Sequence, residues 1–304
     1  MRRAEARRPP ELLTRDVVSR AIAQEVREGR GSPHGGAFLD IASRRQPDEI
    51  RKKLPSMYQQ FHELADVDIT KDPMEVGPTT HYMMGGVRVH PETQAATVPG
   101  LFAAGEVGGG LHGSNRLGGN SLSDLLVFGR RAGLGAAQYA KARAGDPRVR
   151  TEDVETIANA LVEPFERSGG ENPYAVQEAL QGMMGTYVGI ARSADDLETA
   201  LAELAKLRER ASRVGLEGHR QYNPGWHTAL DLHSLLTVSE AVTRAALARR
   251  ESRGAHTRVE HPDSDKHFGT VNVVVRRQGD RMTVVEEPIT PVPDALRRVL
   301  DGET

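Results

Sequence analysis

The stretch from about Asp72 to Gly119 constrains the fold more than any other part of this sequence, because glycines cluster there and helical periodicity disappears. It includes the text TTHYMMGGVRVHPETQAATVPGLFAAGEVGGGLHGSNRLGG. Clustered glycines let a backbone adopt positive φ or approach a ligand closely, and an ordinary packed core does not need so many together. We therefore predict a strand-and-loop region that contains the functional site.

Helical patterns flank this glycine-rich stretch on both sides. Thr14 can cap the first predicted helix, Gly29 and Gly31 can end it, and Pro55 can kink the second. The predicted helices span roughly 14–28, 47–65, 120–143, 151–168, 173–192, 194–214 and 226–250. The tail TVNVVVRRQGDRMTVVEEP alternates around Gly279 and Asp280 and predicts a β-hairpin.

Composition excludes several classes of function. With 38% hydrophobic and 27% charged residues and a formal charge of -2, the chain is typical of a soluble globular protein without general affinity for nucleic acid. It has no cysteine, which rules out disulfides and thiolate metal sites and fits a reducing compartment. No apolar run approaches the roughly 20 residues of a membrane helix, and the arginine-rich opening MRRAEARRPPELL lacks the apolar core of a signal peptide. Any membrane link is expected to come through a partner.

Two positions late in the glycine-rich region have both a functional and a plainer interpretation. Glu106 ends the segment TVPGLFAAGE, where a carboxylate at the end of a strand can hold a sugar hydroxyl or can simply be solvated. Arg116 precedes a helix predicted to begin at Asn120 or Ser121, and such a helix N-terminus suits a phosphate or the electron-rich edge of a reduced flavin. The guanidinium matches a carboxylate bidentately, whereas the plainer alternative is a loop arginine beside an ordinary N-cap.

His81 lies in THYMMGG, where it can donate to an anion, although a lone histidine is more often structural. The string GGGLHG satisfies the GxGxxG pattern, but we reject it as a dinucleotide fingerprint because it follows FAAGEV rather than opening a βαβ unit. We assign no metal, since no HExxH motif or Cys/His cluster is present and the later histidines lack ligand spacing.

Several strings occur in series: RPPELLTRDVVSRAI, GSPHGGAFLDIA, MEVGPTTHYMMGGVRV, VPGLFAAGE, HGSNRLGGNSLSDLLVFGRRAG and ESRGAHTR. From about Arg8 onward the chain thereby resembles the C-terminal half of the flavoprotein subunit of succinate dehydrogenases and fumarate reductases, especially the actinobacterial type. The resemblance implies an α/β plus α fold, the C-terminal part of an FAD-binding flavoprotein. Its implied parts are a capping-domain remnant (1–75), a returning segment of the FAD-binding domain (76–145), a helical C-terminal domain (146–262) and a β-hairpin tail (263–304).

The resemblance also implies roles for individual residues. Arg15 of TRD matches the catalytic arginine, the proton acceptor in succinate oxidation and the proton donor in fumarate reduction. His81 and Arg116 match the pair that binds the two substrate carboxylates. The implied contacts to FAD come from the Glu106 carboxylate and from the backbone of Ser121 and Leu122 beside the isoalloxazine. In such a subunit a hydride passes from succinate to the flavin and a proton passes to Arg15.

The implied partners are succinate or fumarate, an iron–sulfur subunit, membrane anchor subunits reached through it, and a quinone. The implied location is the cytoplasmic face of the plasma membrane, peripheral through those partners. The family's glycine-rich dinucleotide fold, its frequent covalent-flavin histidine and the first half of its capping domain find no match in this sequence. We therefore expect an N-terminally truncated chain that is inactive alone.

Two alternatives differ in what they predict. An L-aspartate oxidase shares the HYxxGG, GE and SRGAH strings, although GGNSLSDLLVFG favours the succinate family. A catalytically dead assembly module could instead bind an iron–sulfur partner through the helical domain. The oxidase would prefer aspartate as substrate, and the dead module would show neither flavin absorbance nor succinate-dependent dye reduction.

Overall fold

The computed structural model describes residues 13–143, 145 and 149–300. The chain forms two compact units that meet in sequence between Leu134 and Gly135. The arginine-rich opening, for which we predicted no signal peptide, lies almost entirely outside the described residues. No helix in the described ranges has both the length and the apolar character needed to cross a bilayer.

The first unit confirms the predicted helices that flank the glycine-rich region. They are α1 (Arg15–Arg27), α2 (Pro47–Lys53), α3 (Pro55–Ala65) and α4 (Asn120–Ala142), the last of which continues past Leu134. Pro55 splits the second predicted helix in two, because it lacks the amide that would continue the ladder. Thr14 takes the N-cap position of α1, but its hydroxyl accepts no capping hydrogen bond, and only its carbonyl joins the helix.

Strands in the first unit are short. β1 (Ala37–Leu39) and β2 (Met74–Val76) form an antiparallel pair in which Ala37 lies opposite Val76. A small core of Ile50, Ile69 and Met74 supports them. Beyond β2, the strands predicted in the glycine-rich region form only single bridges, such as the parallel one between Val87 and Gly108, because these segments find no extended partner among the described residues.

The second unit contains the four helices predicted after residue 150, each of which ends a few residues earlier than the sequence predicted. They are α5 (Thr151–Val162), α6 (Pro173–Tyr187), α7 (Ala194–Ser212) and α8 (Pro224–Ala248). A further helix that we did not predict, α9 (Asp294–Leu300), lies near the C-terminus. Helices α6, α7 and α8 each begin with a side-chain cap, from Asn172, Ser193 and Asn223 respectively. These three helices pack together around buried leucines, among them Leu180, Leu197, Leu204, Leu232 and Leu236.

The predicted β-hairpin is also confirmed. β3 (Val271–Gln278) and β4 (Arg281–Pro288) pair antiparallel from Val271 opposite Pro288 to Gln278 opposite Arg281. Gly279 has φ +60°, as a two-residue turn between twisted strands requires. Like β1 and β2, this sheet has only two strands, so the described residues form a mainly helical structure with small antiparallel sheets.

Two arginines close the C-terminal ends of the long helices in the second unit. Arg192 Nε donates to the carbonyls of Val188 and Gly189, just beyond α6. Arg258 Nη1 donates to the carbonyls of Ala246 and Leu247 in the last turn of α8. A guanidinium placed here satisfies carbonyls without helical partners and complements the negative end of the helix dipole. The SRGAHTR string therefore has a structural role in this fold.

Candidate functional site

The two glycine-rich segments of the first unit run side by side. The Val87 amide donates to the Val107 carbonyl at 2.7 Å, and the Gly109 amide donates to the Val87 carbonyl at 2.9 Å. Gly86 has φ +147°, and an added Cβ would lie 2.2 Å from the Val107 carbonyl oxygen, so only glycine fits there. Gly108 thus pairs with Val87, and turns rather than a helix follow it, in agreement with our rejection of GGGLHG as a nucleotide-binding loop.

This pairing places predicted site residues around one open pocket of about 200 Å³, which is lined by His81, Tyr82, Glu106, Ser121 and Leu125. Glu106 lies in a short 3₁₀ turn, whereas we predicted it directly at the end of a strand. Its Oε1 accepts a hydrogen bond from the Met83 amide at 2.9 Å, which fixes the carboxylate beside the histidine segment.

Arg116 borders this pocket through its contacts with two of the residues that line it. Its Nη1 donates to Ser121 Oγ at 3.2 Å and to the Leu117 carbonyl at 3.4 Å. Its guanidinium carbon lies 4.4 Å from the centre of the Tyr82 ring, a cation–π contact. Its Nε is buried and has no partner among the described residues. The edge formed by Nε and Nη2 therefore remains for an acceptor, and this edge matches a carboxylate bidentately.

Helix α4 begins beside Arg116 in a way that leaves one amide open. Gly119 has φ +85° and turns the chain into the helix. The Leu122 amide donates to the Gly119 carbonyl at 3.2 Å, whereas the Ser121 amide has no backbone partner in the described part of the chain. The Leu122 side chain is 68% exposed. Of the two amides predicted to face a flavin, only that of Ser121 is therefore unpaired.

Arg15 is the first residue of α1 and is exposed, without a hydrogen bond or ion pair to any residue that the structure describes. Its neighbour Asp16 accepts from Arg20 at 2.9 Å and from Asn115 Nδ2 at 3.3 Å. Because Asn115 immediately precedes Arg116, this contact holds the start of α1 beside the arginine loop. Arg15 itself makes no hydrogen bond to a predicted site residue and does not line the pocket; only its neighbour Asp16 reaches the loop that carries Arg116.

The sequence analysis missed three residues that the structure adds to this site. Asp124 on α4 is 4% exposed and accepts from His112 Nε2 at 3.3 Å and from the Tyr82 hydroxyl at 3.4 Å. Burial first, and then the nearby charges of Asp124 and Glu106, raise the pKa of Tyr82. The sequence did contain a feature that could have identified Asp124: it is an acidic residue within the apolar run SLSDLLVFG. A carboxylate buried on a helix needs hydrogen-bond partners, so its position there predicts contacts with other polar groups.

The groups gathered here suit two different ligands. Ser121 offers an open helix-terminal amide and Glu106 a fixed carboxylate that can accept a further hydrogen bond, a combination that fits the edge of a flavin. The buried Arg116 Nε, which has no partner among the described residues, suits a carboxylate instead. Metal chemistry has no comparable support, since no group of three His, Asp or Glu side chains that could hold an ion occurs among the described residues.

Most of the chain matches known flavoprotein families. Residues 1–122 match the family model of an FAD binding domain, and residues 177–295 match that of the fumarate reductase flavoprotein C-term. A fumarate reductase (CoM/CoB) protein of Methanothermobacter marburgensis is 41% identical over 255 residues, which cover 84% of this chain and 45% of that protein. The succinate dehydrogenase flavoprotein subunit of Coxiella burnetii is 35% identical, with 94% of this chain and 50% of that protein covered.

Among solved structures, Mycobacterium smegmatis Sdh1 in complex with UQ1 superimposes with a TM-score of 0.88 at 52% identity. The superposition covers 98% of this chain and 51% of that chain. The chain therefore spans about half the length of the curated relatives and of the solved structure that it matches.

Proposed function

Since this chain belongs to the family of succinate dehydrogenase and fumarate reductase flavoprotein subunits, we propose that it supplies the dicarboxylate site and one side of the FAD site of such a subunit, which interconverts succinate and fumarate. One observation supports this most directly. Arg116 Nε is buried and, like Nη2, makes no hydrogen bond to a described residue, and this guanidinium contacts Tyr82 and Ser121, which line the same pocket as His81 and Glu106.

His81 and Arg116 would hold the two carboxylates of the substrate and so fix the carbon that reacts. A guanidinium edge grips one carboxylate at two points, and the imidazole donates to the other. FAD, when bound, supplies the acceptor for the hydride of succinate. Glu106 and the Ser121 amide would hold that cofactor, with Leu122 beside it, and Arg15 would take the proton from the substrate or return it in the reverse direction.

The larger assembly is part of the same proposal. The flavoprotein would pass electrons to an iron–sulfur subunit, then through membrane anchor subunits to a quinone, and these partners would hold it peripherally at the cytoplasmic face of the plasma membrane. Within the chain we assign a capping-domain part to residues 1–75, a returning FAD-domain segment to 76–145, a helical domain to 146–262 and the hairpin tail to 263–304.

The alternatives are less favoured. The relatives described above are succinate dehydrogenase and fumarate reductase subunits rather than aspartate oxidases. A dead assembly module would not need an arginine held by a ring and a hydroxyl with its ligand-binding edge left open.

Substitution of the proposed acid–base residue tests this function in the assembled flavoprotein that contains this chain. We expect Arg15→Gln to abolish turnover in both directions and to leave malonate binding largely intact, because its role is proton transfer. His81→Ala should mainly weaken malonate affinity. Steady-state kinetics and malonate titration separate the two effects. If Arg15→Gln lost affinity and kept its turnover at saturation, the assignment would be reversed.

A further inference from the structure

Asp124 is a buried carboxylate on α4, one turn after Ser121. Its Oδ2 accepts from two groups that come from different loops, His112 Nε2 at 3.3 Å and the Tyr82 hydroxyl at 3.4 Å. Since a carboxylate only accepts, His112 must donate through Nε2. Asp124 Oδ1 is also buried and finds no partner among the described residues.

Tyr82 connects this carboxylate to the proposed substrate residues. Its ring meets the His112 ring edge to face, with centroids 5.5 Å apart and planes at 76°. The same ring lies under the Arg116 guanidinium at 4.4 Å, and His81 is the preceding residue in the chain. Ser121, from the first turn of the same helix α4, accepts from Arg116 Nη1. Helix α4 therefore supports Arg116 twice, directly through Ser121 and indirectly through Asp124 and Tyr82.

Two buried polar atoms without hydrogen-bond partners make this arrangement unfavourable for stability alone. In the described part of the chain, buried polar side-chain atoms without a hydrogen-bond partner occur at four places, and two of them are Asp124 Oδ1 and Arg116 Nε. Such atoms carry a desolvation cost that an apolar side chain at position 124 would avoid. A carboxylate retained at this cost, and connected to Arg116 through one aromatic ring, points to a role at the site.

We propose that Asp124 is a positioning residue: through Tyr82, whose ring also contacts His112, it fixes the orientation of Arg116 toward the dicarboxylate. This inference rests on the proposed function, because it assigns a task to the Arg116 edge. The Asp124 carboxylate orients the Tyr82 hydroxyl and ring, the ring supports one face of the guanidinium, and Ser121 holds Nη1. The remaining Nε–Nη2 edge then points in one direction before any ligand arrives, which lowers the cost of binding.

The first test observes Arg116 directly by NMR in the full chain labelled with ¹⁵N-arginine. The guanidinium signals of Arg116 are assigned as those that disappear from the spectrum of the Arg116→Lys variant. We expect separate signals for Nη1 and Nη2 in the wild type, because the held guanidinium rotates slowly, and merged signals in Asp124→Asn. Asp48→Asn on α2, where the aspartate side chain is fully exposed, is the matched control and should keep separate signals. Merged signals in the wild type, or separate signals in Asp124→Asn, overturn the proposal.

Tyr82→Phe keeps the ring and removes only the hydroxyl, so it answers the same question if Asp124→Asn does not fold. We expect its Nη signals to broaden toward merging, and sharp separate signals as in the wild type would count against the proposal.

The second test uses the assembled flavoprotein. The KM for succinate and the inhibition constant of malonate should rise by about tenfold in Asp124→Asn and by about threefold in Tyr82→Phe, with kcat much less affected. A merely structural role would reduce the amount of folded enzyme and leave KM unchanged, which would refute positioning. If wild-type protein turned over no succinate while the NMR result held, the proposed function would fail and the positioning of Arg116 would stand.

Discussion

At the scale of single residues, the site depends on the planar shape of one arginine. Arg116 touches the Tyr82 ring through its face, uses Nη1 for Ser121, and keeps its Nε–Nη2 edge open. The ammonium group of lysine has no planar face to stack on the ring, and it cannot donate to Ser121 and to two carboxylate oxygens in a fixed planar geometry. In the assembled flavoprotein we expect Arg116→Lys to lower kcat/KM for succinate by about a hundredfold and to weaken malonate inhibition. Kinetics like those of the wild type would exclude a two-point grip on the substrate.

Individual residues were also where sequence analysis reached its limit. The residue types of His81, Glu106, Arg116 and Ser121 were sufficient to nominate them, because glycine clusters and a helix start lay beside them. Their roles remain predictions. Asp124 and Tyr82 were missed because their importance comes from contacts across 42 positions of sequence, which no local pattern encodes.

At the scale of elements, the loop after α8 depends on one buried carboxylate. Glu251 is fully buried and accepts from Arg249, from Arg253 and from the Asp265 amide. Burial alone would raise the pKa of Glu251, but the hydrogen bonds from Arg253, Asp265 and Arg249 outweigh it and lower that pKa from 4.5 to about 2. A lowered pKa in the folded state means that the ionised form stabilises the fold.

This stabilisation should be complete above about pH 4.5 and should disappear as pH falls toward 2. The free energy of unfolding should decrease by about 3 kcal/mol across that window because of Glu251. In the Glu251→Gln variant, the free energy of unfolding should lack this decrease between pH 4.5 and 2. Denaturant titrations at a series of pH values measure it. Glu203→Gln, at an exposed ion pair on α7, is the control and should retain the wild-type slope. The same slope in both variants would mean that Glu251 is not the responsible group.

Helix positions were largely predictable, since caps, prolines and apolar spacing mark helix ends locally. The prolines at the starts of α6 and α8, with Asn172 and Asn223 before them, are examples. The strands of the glycine-rich region were predicted less well. A strand forms only where another segment pairs with it, and here Val87 and Ala95 each find a single partner.

At the scale of the whole molecule, the proposed contacts of this chain to a large cofactor come from Glu106 and the start of α4. Its relatives are about twice as long, and no strand among the described residues leads through a glycine-rich loop into a helix in the manner of a phosphate-binding loop. We therefore expect the purified 304-residue chain to retain little flavin and to show no succinate-dependent dye reduction. The visible spectrum and a dye assay check this. A yellow and active preparation of this chain alone would contradict it.

The pairing of the two glycine-rich segments has a thermodynamic consequence. His81, proposed for the substrate, and Glu106, proposed for the cofactor, belong to segments joined by the Val87–Val107 and Met83–Glu106 hydrogen bonds. The two backbones approach so closely at Gly86 that no side chain would fit between them. A ligand that orders one segment therefore orders the other. In the assembled flavoprotein, flavin should tighten malonate binding by the same factor by which malonate tightens flavin binding, since linkage is reciprocal. Calorimetric titration of each ligand in the presence and absence of the other measures that factor, and a factor of one would show that the two sites bind independently.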